Sequence, residues 1–102
     1  MPEFSSPFSG NKYDRKLTHE ELVRAIRFMV AAEYEATQLY MQLAESIDNA
    51  LAKDVLVDIA NEERVHAGEF LRLLLELEPD EKKFYEEGKD EVEEFIKKHQ
   101  KK

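Results

Sequence analysis

Three side chains in this sequence can hold a metal ion between them: Glu33, Glu63 and His66. Glu63 and His66 are three residues apart, so on a helix they share a face and aim at one point. Glu33 lies on an earlier segment. Between the two, Ser46 to Ala50 includes Asp48 and Asn49, both good turn formers and N-caps. With a tight turn centred there, Glu33 lies about 15 residues before it and the midpoint of Glu63 and His66 about 16 after it, which at 1.5 Å per residue is about 23–24 Å on either side. Folded as an antiparallel hairpin, the three groups come level. An ionised carboxylate buried alone in such a seam is costly, and a cation is the natural compensation. Carboxylate oxygens with an imidazole nitrogen suit iron, manganese or zinc better than calcium or magnesium. The metal-free alternative is a hairpin in which Glu33 and His66 simply pair by hydrogen bonds.

The elements that must position these groups are helices. The first begins at Thr18, where Thr18 and Glu21 have the spacing of a capping box. Its apolar stripe runs Leu22, Ile26, Met29, Ala36, Tyr40, Leu43 and Ile47 in steps of three and four, and Glu33 occupies a position within it. The second carries Ala52, Leu56, Ile59, Phe70, Leu74 and Leu77, with Glu63 and His66 on the same stripe, and Pro79 ends it. Residues 80–102 are highly charged. Gly88 reads as a break there, followed by a short amphipathic helix through Val92, Phe95, Ile96 and His99 that suits docking on a partner subunit. Residues 1–16, with two prolines, a glycine and several serines and asparagines, read as a flexible arm whose Phe4, Phe8 and Tyr13 could dock on a neighbour. The expected organisation is an arm over 1–16, a helical hairpin over 17–79 and an amphipathic tail over 80–102, all α.

Three ligands on one hairpin cannot enclose two metals. Ferritin-like di-iron sites use a Glu from each of two helices and Glu-x-x-His from each of two others. This chain carries half of that set, so a second copy about a two-fold axis would complete a four-helix bundle and a di-iron centre. Of the remaining polar residues, Tyr40 lies two turns beyond Glu33 and could hydrogen-bond a ligand carboxylate or carry an electron. Glu35, Glu62 and Glu69 could line an approach path for iron, or form a solvated face. His19 and His99, in charged surroundings, are expected at the surface.

Composition narrows the function. The 102 residues suffice for one small domain, of a size often helped by oligomerisation. There is no cysteine, which excludes disulfides, thiolate metal sites and a cysteine nucleophile. The formal charge of −8 comes from 23 acids against 15 bases. Residues 18–78 account for all of it, with 13 acids and 5 bases. That argues against nucleic acid and is compatible with attracting cations. No segment approaches the roughly 20 apolar residues of a membrane span. Met1 to Lys16 also lacks the apolar stretch of a signal peptide, so a cytoplasmic chain with no membrane association is expected.

The segments Ala32-Glu33-Tyr34-Glu35-Ala36 with Leu39-Tyr40, and Asn61-Glu62-Glu63-Arg64-Val65-His66-Ala67-Gly68-Glu69-Phe70, resemble the encapsulated ferritins, two-helix ferritin-like proteins housed in encapsulin compartments. The likeness covers roughly residues 18–80. It implies a ferroxidase that oxidises Fe(II) to Fe(III) with O2 at a di-iron site across a subunit interface. It further implies an obligate dimer assembled as a ring of dimers, often a decamer, and an encapsulin shell as partner and location. By the same resemblance Glu33, Glu63 and His66 are the metal ligands, Tyr40 is the tyrosine beside the site, and Glu35 is an outer iron-uptake position. Ala32 stands where some relatives have another acid. Two other functions compete. One is a rubrerythrin-like peroxidase, although no rubredoxin-like cysteine module is present. The other is a non-catalytic helical module that binds metal only to close its interface.

Overall fold

Two long helices form an antiparallel hairpin, and a third stands out from its open end. The computed structural model describes residues 15–101, and comprises α1 (His19–Glu45), α2 (Ala50–Leu77) and α3 (Asp80–Gln100). The expected N-terminal arm therefore lies outside the described residues, except for its last two positions.

The ends of α1 and α2 follow from local chemistry. Thr18 Oγ1 accepts from the Glu21 amide at 3.2 Å while the Glu21 carboxylate accepts from the Thr18 amide at 2.9 Å, closing the expected capping box. Arg15 adds two further donors to Glu21, each at 2.7 Å. The Arg15 guanidinium, helped by the Thr18 amide, pulls the Glu21 carboxyl down to about 2. At the turn, Asn49 Oδ1 caps α2 by accepting from the Ala52 amide at 2.9 Å. His19 closes the other end of the hairpin, with Nε2 2.9 Å from the carbonyl of Leu77. It lies at the surface as expected, but with a structural role its sequence context did not suggest.

The hairpin buries Val23, Ile26, Val30 and Ala44 from α1 against Ala60, Ala67 and Leu74 from α2. Val23, Ile26 and Leu74 form one cluster with Phe70 and Leu77 packed on it. Ala60, Ala67 and Leu74 recur every seven residues, and the two alanines let the helices approach closely at mid-length. The buried line of α1 is turned one position from the expected stripe: Leu22 is 37% and Leu43 50% exposed, while their neighbours Val23 and Ala44 are buried. The apolar surface of α1 is wider than one seam, and α2 covers only one edge of it.

The expected break at Gly88 is not there. α3 runs unbroken for 21 residues through it. Pro79 both ends α2 and starts α3, because proline cannot continue one helix but suits the start of the next. A lone glycine costs a helix interior only about 1 kcal/mol relative to alanine, too little to stop it. The molecule measures 47 × 44 × 21 Å with a radius of gyration of 17.9 Å, against about 13 Å for a compact chain of 100 residues. None of the described helices is long and apolar enough to cross a membrane.

Candidate metal centre

Glu33 and Glu63 sit on the seam itself. Glu33 follows Val30 by three residues on the buried line of α1, and Glu63 lies between Ala60 and Ala67 on that of α2. Their side chains are only 17% and 20% exposed. His66 lies to one side, its side chain 47% exposed, because three residues turn a helix about 60° short of a full turn. The expectation that all three face the opposite helix therefore holds for the two acids, while the imidazole flanks them.

The three groups nonetheless converge. His66 Nδ1 is 3.7 Å from Glu33 Oε2 and 3.6 Å from Glu63 Oε1. One ligand atom from each residue lies within 4.8 Å of the other two. The imidazole contacts are longer than hydrogen bonds. They are close to the span of donor atoms around a transition metal, whose bonds run about 2.0–2.2 Å. Glu33 Oε2 is buried and has no hydrogen-bond partner among the described residues. Burial pushes the Glu33 carboxyl above the usual range, Glu63 pushes it further, and His66 only partly offsets this. A buried anionic oxygen without a donor, aimed at a second carboxylate and an imidazole, is what a cation would compensate. The donor set therefore fits a metal ion of the iron, manganese or zinc group.

An open cleft of about 420 Å³ leads onto the cluster, lined by Glu33, His66, Glu69, Phe70 and Leu73. Of the expected outer acids, Glu69 borders this cleft; Glu35 and Glu62 are exposed and stand outside the cluster. Tyr40 is half-buried further along α1 and is not among the cleft's lining residues. Two features were not anticipated. Thr37 Oγ1 donates to the carbonyl of Glu33 at 2.8 Å, a side-chain bond one turn on that braces the ligand-bearing turn. Leu73 completes the rim of the cleft while staying 41% exposed, and its place on the helix, seven residues after His66, was the available signal.

Residues 20–101 match the rubrerythrin family. This chain belongs to the rubrerythrin family. Within it, the chain is an encapsulated-ferritin-like domain with the ferritin-like fold, its α1–α2 hairpin and third helix included. The crystal structure of the encapsulated ferritin domain from Pyrococcus furiosus superposes with a TM-score of 0.78 at 37% identity, covering 81% of this chain and 85% of that one. In sequence, the chain is 38% identical over 82 residues to the ferritin-like–encapsulin shell fusion protein of the same organism. It is 38% identical over 81 residues to the encapsulin nanocompartment cargo protein EncC of Myxococcus xanthus. The matched region is 80% of this rubrerythrin-family chain but only 24% of the first relative, and 79% of the chain but 61% of the second.

Proposed function

We propose that this chain is a ferroxidase subunit that works as a two-fold dimer, oxidising Fe(II) to Fe(III) with O2 at a di-iron site shared between two copies. The observation that carries the reading is the half-set of ligands. Glu33, Glu63 and His66 converge on one point, with a buried carboxylate oxygen left unpartnered. Two such halves facing each other give four carboxylates and two imidazoles, the complement of a ferritin-like di-iron site. The cluster opens to a cleft on one side, where a second copy would close it.

Iron is the substrate in this reading. Each pair of Fe(II) ions gives up two electrons, the number that takes dioxygen to hydrogen peroxide with two protons from water. The chain contributes binding and placement: Glu33 and Glu63 hold the cations close together, and an anionic donor set favours the higher oxidation state. His66 fixes the open side, and Glu69 at the cleft rim is placed to draw cations in. In this reading Tyr40, two turns beyond Glu33 on α1, hydrogen-bonds a ligand carboxylate or carries an electron, and Glu35 is an outer uptake position. The physiological setting we infer is an encapsulin compartment, supported by both relatives, one a ferritin-like–encapsulin shell fusion protein and the other an encapsulin nanocompartment cargo protein.

The rubrerythrin match favours a second reading, in which peroxide rather than O2 is the oxidant. Following Fe(II) oxidation optically under air and under anaerobic peroxide separates the two. Glu33→Ala and His66→Ala should each reduce rapid oxidation to the background rate with helix content intact, because one substitution removes two ligands from a symmetric site. Near wild-type rates in either variant would remove that residue from the ligand set. Wild-type oxidation that is fast only with peroxide would establish the second reading.

A further inference from the structure

The chain has three methionines and no cysteine, so its thioethers are the side chains most open to two-electron oxidation. Met1 lies outside the described residues. Met29 and Met41 both belong to α1, and both are half-buried. They differ in where the helix puts them.

At about 100° per residue, Met29 lies one turn before Glu33 and about 40° further from the seam, on the side where His66 flanks it. Met41 lies about two turns after Glu33 and about 80° round the other way. That carries it past the buried line through Val30 and Ala44, into a separate groove with Tyr34, Gln38 and Arg64. Helical side chains lean toward the N-terminus of their helix, so the Glu33 carboxylate leans over the turn that carries Met29. In the antiparallel hairpin Glu33 is level with Glu63 and His66. One turn earlier on α1 is therefore level with about one turn later on α2, where Glu69 and Phe70 line the cleft that leads from the cluster to solvent. Met29 thus stands beside the way out of the metal centre, whereas Met41 has the hairpin seam between it and the cluster.

We propose that Met29 is a scavenging site, converted to methionine sulfoxide by hydrogen peroxide leaving the metal centre. The proposal rests on the ferroxidase reading, in which each pair of Fe(II) ions reduces one dioxygen to peroxide. The sulfur lone pair attacks one peroxide oxygen, so that an S–O bond forms as the O–O bond breaks. Sulfur is oxidised by two electrons, peroxide is reduced by the same two, and the second oxygen leaves with both protons as water. No further reactant is needed. Sulfoxide formation is reversible by methionine sulfoxide reductases, so the same thioether can serve repeatedly.

The test is peptide mass spectrometry of the full chain, reading the fractions of Met29 and Met41 that have gained one oxygen. Metal-free protein treated with dilute peroxide gives the ratio set by exposure alone. Protein loaded anaerobically with Fe(II) and then mixed with air gives the ratio set by turnover, with catalase present to remove peroxide that reaches the solution. Turnover should raise the Met29-to-Met41 ratio several-fold above the exposure value, and His66→Ala should return it there. Rapid iron oxidation with the ratio unchanged, or with neither methionine oxidised, would overturn the scavenging site and leave the ferroxidase reading standing. Selective oxidation of Met29 that persists in His66→Ala would also overturn it. Iron oxidation in wild type at only the background rate would refute the ferroxidase reading, and the scavenging site with it.

Discussion

At the scale of single residues, Glu33 is a group that works against the metal-free fold. Its Oε2 is buried without a donor, and its carboxyl is held above the usual range by burial and then by Glu63. A carboxyl raised in the folded state helps folding only while protonated. That help is lost as pH rises through the folded value, so near neutrality Glu33 works against the metal-free fold. Glu33→Gln keeps the shape and removes the charge. A buried unsatisfied acceptor costs about 1–3 kcal/mol, and about 1 kcal/mol moves the melting temperature of a domain this size by roughly 4–8 °C. Calorimetry in chelator should therefore show Glu33→Gln melting several degrees above wild type, and added metal should stabilise only wild type. A variant that melts lower in chelator would mean that the wild-type carboxylate is already satisfied. The convergence of Glu33, Glu63 and His66 was legible because helical rise turns sequence distance into height. That His66 would stand half outside the seam was harder to see, since period alone does not tell a centred position from one about 60° away.

At the scale of elements, the spacing between α1 and α2 is set by alanine. Ala60 and Ala67 flank Glu63 by three and four residues and are 0% and 4% exposed. Ala60→Leu would overpack the seam, at a cost of about 1–3 kcal/mol, and push the ligand-bearing turns apart. Urea unfolding should show a lower midpoint, and metal titration a weaker affinity. An unchanged affinity would mean that the cluster does not depend on this spacing. α3 depends instead on an ion pair. Arg27, with help from the Tyr85 hydroxyl, holds the Glu81 carboxyl below the usual range. Stability from a depressed carboxyl is present above its unfolded pKa, about 4.3 for Glu, and is lost as pH falls through the lower folded value. On acidification below about pH 4, amides at the start of α3 should lose hydrogen-exchange protection before those of the hairpin. Arg27→Ala should show the same loss already at neutral pH. Equal protection in wild type and variant would show that the pair does not hold α3. The caps at Thr18 and Asn49 were legible because they are local. The Arg27–Glu81 pair joins residues 54 apart and leaves no local trace, and Gly88 misled because its helix penalty is small.

At the scale of the whole molecule, the described residues span only 47 × 44 × 21 Å, too little to wrap a mineral core. Added several-hundred-fold Fe(II) in air should be oxidised but end as precipitated ferric oxide. Discrete soluble iron cores made by this chain alone would show that it stores iron without a shell. The proposed dimer is legible in the sequence only as a deficit, three ligands where a ferritin-like di-iron site uses six. The most direct test is to count iron and protein copies together, by native mass spectrometry of anaerobically Fe(II)-loaded protein. A shared site requires species with even numbers of chains that carry two irons per pair, single chains that carry none, and loss of the iron in His66→Ala. Single chains that hold two irons tightly, or iron retained in His66→Ala, would contradict it.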